Sequence, residues 1–217
     1  MAIEEQFEAW KSAVNSQLAD LDANYQTWEA INNLNLNPER FNTAPYFWDS
    51  ARRTYIERLI LGLWSGVADG KKKSASLRKL LDFCTEHQIE LFEFSNVRRR
   101  VIGRKQESDA DEIRDLENLT RRNSLDAMGL EQLSVSLNAA RKSLQGWRNK
   151  VLAHRELAYV IGSRSVSDDY PLTPGEIRKV IDESWDVLRT LDAAYSNVEF
   201  MTGVFSSIPS EIESLTQ

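Results

Sequence analysis

Apolar side chains recur at alternating intervals of three and four along almost the whole 217-residue chain, and that spacing leaves little freedom in the fold. A helix with 3.6 residues per turn brings such positions onto one face, whereas a half-buried strand needs every second residue. Ile3, Phe7, Trp10, Val14, Leu18, Leu21, Tyr25 and Trp28 make the first stripe and predict a helix near residues 2–33. The Asn, Pro and Thr of Asn32–Pro45 read as a loop. Trp48, Ala51, Tyr55, Ile56, Leu59, Ile60, Leu63 and Val67 form a second stripe that stops at Asp69-Gly70.

Further along, Ser74 or Ser76 is placed to cap a third helix carrying Leu77, Leu80, Leu81 and Cys84. Asn96–Glu107 is basic, and its periodicity assigns no element. Ser108-Asp109-Ala110-Asp111 is an acidic helix start, suited to the positive end of the helix dipole, before Ile113, Leu116 and Leu119. After Gly129 comes the longest run: Leu130, Leu133, Leu137, Ala140, Leu144, Trp147, Val151, His154, Ala158 and Ile161, which predicts one long helix. Gly162–Pro171 interrupts it. Thr173-Pro174-Gly175-Glu176 then has the form of a capping box opening a helix with Ile177, Val180, Ile181, Ser184, Leu188, Leu191 and Tyr195.

No useful β-type alternation and no internal repeat occurs. The expectation is an all-α helical bundle of about five or six helices, forming one domain over residues 1–217. Within it, residues 1–44 hold the N-terminal helix and loop, 45–200 the main bundle, and 206–217 a loose polar tail. No apolar run is long enough to span a membrane, the N-terminus has no signal-peptide pattern, and Cys84 is the sole cysteine. These features favour the cytoplasm, where thiols stay reduced.

The chain is acidic, with a net charge of −6, but unevenly so. Arg98–Arg155 holds 13 basic against 8 acidic residues, and the remainder 14 against 25. A basic middle of this kind can draw a phosphate backbone locally, and it can equally be a set of solvated helix faces.

Most catalytic machinery is excluded by pattern: there is no phosphate-binding glycine loop, dinucleotide fingerprint or nucleophile elbow. Cys84 and His87 have ligand-like spacing, but no second ligand pair closes a zinc site. Cys84 therefore reads as core and His87 as helix surface, and no metal or cofactor is expected. His154 stands apart because it occupies a stripe position, with Trp147 and Val151 seven and three residues before it. A histidine on a packed seam, desolvated and beside cations, titrates lower than a free one and suits proton transfer. Arg141, Arg148 and Arg155 recur every seven residues along the edge of that seam. A row of guanidinium groups beside an imidazole is what a phosphodiester transition state requires. A core histidine flanked by ordinary surface arginines fits the same residues.

The segment Trp147-Arg148-Asn149-Lys150-Val151-Leu152-Ala153-His154 resembles the HEPN signature, an Arg followed after four to six residues by His, with a polar residue after the Arg. Together with Phe47-Trp48-Asp49-Ser50-Ala51-Arg52, it resembles the abortive-infection, AbiU-like branch of that superfamily over roughly residues 45–160. The resemblance implies a helical bundle that pairs through its motif helices as a homodimer. It also implies a metal-independent ribonuclease of phage defence or of a toxin–antitoxin system, although other HEPN domains are non-catalytic binding modules. Arg148 would then hold the scissile phosphate, His154 move protons and Asn149 assist. Arg141, Lys150 and Arg155 would contact RNA. The RNA 2′-hydroxyl would be the nucleophile, and an antitoxin could be a partner. Some HEPN toxins carry a tyrosine two residues after the histidine that is modified by a nucleotidyltransferase antitoxin. Glu156 stands there, which counts against that scheme.

Helix geometry adds a condition. Six residues turn through about 600° and rise about 9 Å, leaving Arg148 and His154 about 120° apart around a straight axis. Either the helix departs from regularity or a second protomer completes the site. Two other readings remain beside the nuclease: a non-catalytic interaction or dimerisation module, and nucleotide binding without cleavage.

Overall fold

The computed structural model describes residues 2–34, 42–71, 74–103, 110–122, 125–138, 141–149, 169–170 and 172–196, and every element among them is helical. The first helix, α1 (Ile3–Leu34), runs one residue beyond its expected end. Its stripe is buried from Phe7 through Trp28 except for the half-buried Trp10, and Ile31 extends it by another turn. α2 (Pro45–Leu63) begins with Pro45 in its first turn, where a missing N–H costs nothing, so the expected loop ends just before this proline. It passes without a break into a π-helical turn, Trp64–Ala68.

α3 (Leu77–Glu86) starts at Ser76, whose hydroxyl accepts from the Lys79 amide at 3.3 Å. Ser76 also donates to the carbonyl of Asp69, tying the cap to the end of the π turn. Leu77, Leu80, Leu81 and Cys84 are all buried. Two short helices follow, α4 (Gln88–Phe92) and α5 (Phe94–Gly103). His87 sits at the turn between α3 and α4, half-buried against the Phe83 ring, and not on an open helix face.

α6 (Ala110–Arg122) and α7 (Ala127–Asn138) come next. α7 begins before Gly129, because the Asp126 carboxylate accepts from the Gly129 amide at 2.8 Å and caps it. α8 spans Arg141–Trp147 and α9 spans Pro174–Ser196. The expected capping box opens α9: the Glu176 amide donates to the Thr173 hydroxyl at 3.2 Å, and the Thr173 amide to the Glu176 carboxylate at 2.5 Å.

Nine α-helices among the described residues exceed the five or six expected. The excess comes from short pieces between residues 88 and 147: α4 and α5 lie where no element was assigned, and α7 and α8 lie within one expected long helix. The expected long helix after Gly129 is described as α7 and α8, with residues 139–140 and everything from 150 to 168 outside the described residues. The 206–217 tail lies outside them too.

α1 is the axis of the packing, lying against α2, α3 and α9. α9 also meets α5 and α7, and the π turn meets α1, α3, α7 and α8. A single apolar core results, from Phe7 and Leu18 through Leu59, Leu63 and Leu80 to Leu188 and Leu191. One end of it is closed by buried charge. Arg100 donates to the carbonyls of Glu90, Leu91 and Tyr195 and pairs with Glu4, with its guanidinium carbon 4.1 Å from the Tyr195 ring centroid. Lys11 pairs with Asp192 at 2.6 Å nearby, between the Phe7 and Tyr195 rings. No described helix is long and apolar enough to cross a membrane.

Candidate functional site

Two widened turns meet where α8 packs on the end of α2. At the first, the Asp69 amide reaches back five residues to the Trp64 carbonyl at 2.8 Å, giving the wider π ring. Trp64, Gly66, Val67 and Ala68 are buried there. Gly66 faces α1: a β-carbon on it would stand 3.0 Å from the Gln17 side-chain oxygen. The second lies directly after α8, where Arg148 and Asn149 also adopt π geometry. The regular helix assumed for the 120° separation therefore does not hold at Arg148.

The Arg148 side chain spans the two turns. Its guanidinium carbon lies 5.2 Å from the centroid of the Trp64 ring, within the range of a cation–π contact. Its Nη1 donates to the side-chain oxygen of Asn149 at 2.9 Å. Arg148 and Asn149 are both half-buried. Among the described residues no acidic side chain pairs with Arg148, so its charge is oriented by a ring face and a neutral amide without being cancelled. Just before it, Trp147 Nε1 donates to the Tyr170 carbonyl at 2.8 Å, and Gly146 leaves room for the Tyr170 ring. These contacts anchor the turn bearing Arg148.

Of the residues singled out by sequence, Arg148 and Asn149 are brought together. Arg141 is the first residue of α8, and its side chain lies outside the described residues, as do Lys150, His154 and Arg155 entirely. The basic middle proves narrower as a phosphate attractant than its charge count suggests. Arg98 pairs with Glu117 at 2.6 Å, and Arg99 and Arg100 pair with Glu4, so these cations of α5 hold helices together. In the second resembling segment, Asp49 bridges Arg52 and Arg53 at 2.8 and 3.0 Å. Cys84 is wholly buried in apolar surroundings that push its thiol far up, which suits a core residue and not a nucleophile. No cluster of metal-ligating side chains occurs among the described residues.

Trp64 was not among the stripe residues. Its signal was present, since it stands four residues after Ile60 and three before Val67 and so shares the face of that stripe. The turn that holds it packs against α1, α3, α7 and α8.

The profile of the HEPN AbiU2 family matches residues 4–206. The chain belongs to the HEPN AbiU2 family. This places it among HEPN-type abortive-infection proteins, and its all-α architecture is that of the superfamily. The match takes in α1 as well as the 45–160 region where the resemblance was read, in keeping with the place of α1 at the centre of the core. No curated protein and no solved structure matches the chain.

Proposed function

We propose that this HEPN-type protein is a metal-independent endoribonuclease of phage defence or of a toxin–antitoxin pair, acting through Arg148 and His154. The observation that carries the reading is the state of Arg148: half-buried, ordered by Trp64 and Asn149, and without an acidic partner among the described residues. A guanidinium held in that way keeps its fork of donors for a phosphate.

In the proposed reaction the RNA 2′-oxygen attacks the adjacent phosphorus as its proton leaves to a base. The bond to the 5′-oxygen breaks, and that oxygen takes a proton from an acid. A 2′,3′-cyclic phosphate and a 5′-hydroxyl result. Arg148 stabilises the charge that grows on the phosphoryl oxygens, and His154 supplies proton transfer. Asn149 orients Arg148, while Arg141, Lys150 and Arg155 carry the flanking RNA backbone. A homodimer with its axis near this segment provides two copies of His154, one as base and one as acid. An antitoxin that masks the site is the natural regulator.

The second reading is a non-catalytic interaction module. It is favoured by apolar side chains left open on two helices, Tyr46 and Phe47 at the start of α2 and Met128 and Val135 one heptad apart on α7. Cleavage of total RNA in EDTA by the wild type, Arg148→Ala and His154→Ala separates the two. Cyclic-phosphate ends formed by the wild type alone support the nuclease. Equal background from three folded proteins supports the module, and a monomer in solution counts against the dimeric site.

A further inference from the structure

We infer that Trp64 is a positioning residue for Arg148, its indole face fixing the guanidinium for presentation to the scissile phosphodiester. The inference rests on the ribonuclease reading and adds to it a residue outside both motif segments.

The argument begins with what an unrestrained arginine costs. Its long side chain loses up to about 2 kcal/mol of rotamer freedom when fixed, and a site that fixes it beforehand removes that cost from the transition state. A carboxylate can do the fixing, but it also neutralises the charge and competes with phosphate. An aromatic face holds the cation and leaves its charge and its in-plane donors available, and indole is the best of the aromatic faces.

Other stacked cations in the chain show the contrast. Arg178 lies over Tyr25 at 5.6 Å and is clamped by Asp22 and Asp182, both at 2.5 Å. Arg100 lies over Tyr195 and pairs with Glu4, and Lys11 lies near the same ring and pairs with Asp192. Each of these is a ring plus a carboxylate, and each joins helices. Arg148 alone of these four stacks on a ring with, among the described residues, a neutral amide as its other partner.

The indole is itself well held. Trp64 is only 8% exposed, in a π turn packed by α1, α3, α7 and α8. Its Nε1 is buried and has no hydrogen-bond acceptor. What the Trp64 indole contributes is therefore its ring, which belongs to the apolar core and also meets the Arg148 guanidinium.

The test combines two readouts on the full-length protein. The first is the NMR spectrum of the Arg148 side chain without RNA, assigned by comparison with Arg148→Ala. Ring-current displacement of its δ and ε protons is expected in the wild type, reduced in Trp64→Phe and absent in Trp64→Leu. The second is affinity for a mixed-sequence 2′-O-methyl oligoribonucleotide, which cannot be cleaved because its attacking oxygen is blocked. Trp64→Leu should weaken binding by about two- to thirty-fold in the wild-type background, the span of a cation–π contact, and by little once Arg148 is alanine. Trp64→Phe, the conservative variant, should recover part of the loss, and it carries the comparison alone should Trp64→Leu not fold.

An equal loss in both backgrounds would make Trp64 merely structural and overturn the inference, as would Arg148 proton shifts indifferent to the substitution. A wild type that neither binds nor cleaves RNA would remove the ribonuclease reading and the presentation to phosphate with it. The NMR arm would then still decide whether Trp64 orders Arg148.

Discussion

Tyr170 occupies the space that a side chain at residue 146 would need: its ring carbon Cδ1 stands 2.1 Å from where a β-carbon on Gly146 would be. The Tyr170 carbonyl meanwhile accepts from Trp147 Nε1, which holds the Tyr170 backbone against α8, so relief would have to come from rotation of the ring. Gly146→Ala is therefore expected to cost about 1–3 kcal/mol by overpacking. On the ribonuclease reading, RNA cleavage should fall as well, because Arg148 is two residues away. Urea denaturation gives the first effect; an unchanged midpoint would mean that the ring has room to move.

Lys11 and Asp192 form an ion pair at 2.6 Å with little exposure on either side. Lys11→Ala leaves the Asp192 carboxylate buried beside the Tyr195 end of the core, and is expected to destabilise by about 3–5 kcal/mol. Replacing the pair together, Lys11→Met with Asp192→Leu, should cost much less, since no buried charge is then left unpaired. Chemical denaturation of the three variants checks the order.

The Thr173–Glu176 box gives a pH dependence whose sign is fixed. The backbone hydrogen bond from Thr173, then the bond from its side chain, holds the exposed Glu176 carboxyl below its ordinary value of 4.5. A folded-state value below the unfolded one makes the contribution present above the unfolded value and lost as pH falls through the folded one. The melting temperature of Glu176→Gln should accordingly lie below that of the wild type at neutral pH and approach it in acid. Thr173→Ala should cost about 0.5–2 kcal/mol through the lost cap.

Arg148→Lys keeps the charge but loses the planar face for Trp64 and the fork for phosphate. On the ribonuclease reading, cleavage should fall by on the order of 10²-fold while thermal melting changes little. Activity near that of the wild type would show that a point charge suffices there, against the stacked geometry as its source.

Much of the bundle was legible because helix periodicity is a local property. The stripes of α3 and α9 are buried as spacing predicted, as are most of that of α1 and the C-terminal half of that of α2, and the caps at Ser76 and Thr173 fall where hydroxyl side chains precede apolar runs. The short helices α4 and α5 were not legible, since the pattern read ended at Cys84 and the basic stretch from Asn96 assigned no element. The site was half legible. Arg148 and Asn149 stood out by their spacing to His154, but Trp64 is 84 residues away in sequence and carries no pattern that points to an arginine.

The sequence by itself determined the helices, their buried faces and the family, because each depends on neighbours within a few turns or on residue order alone. Tertiary structure decided which arginines are engaged in ion pairs with described residues and which are not. Glu4 claims Arg99 and Arg100 across 95 and 96 residues, whereas among the described residues Arg148 is held by Trp64 and Asn149 and by no acidic group. The physical reason is that charge pairing depends on distance in space, which only the packing of the helices sets.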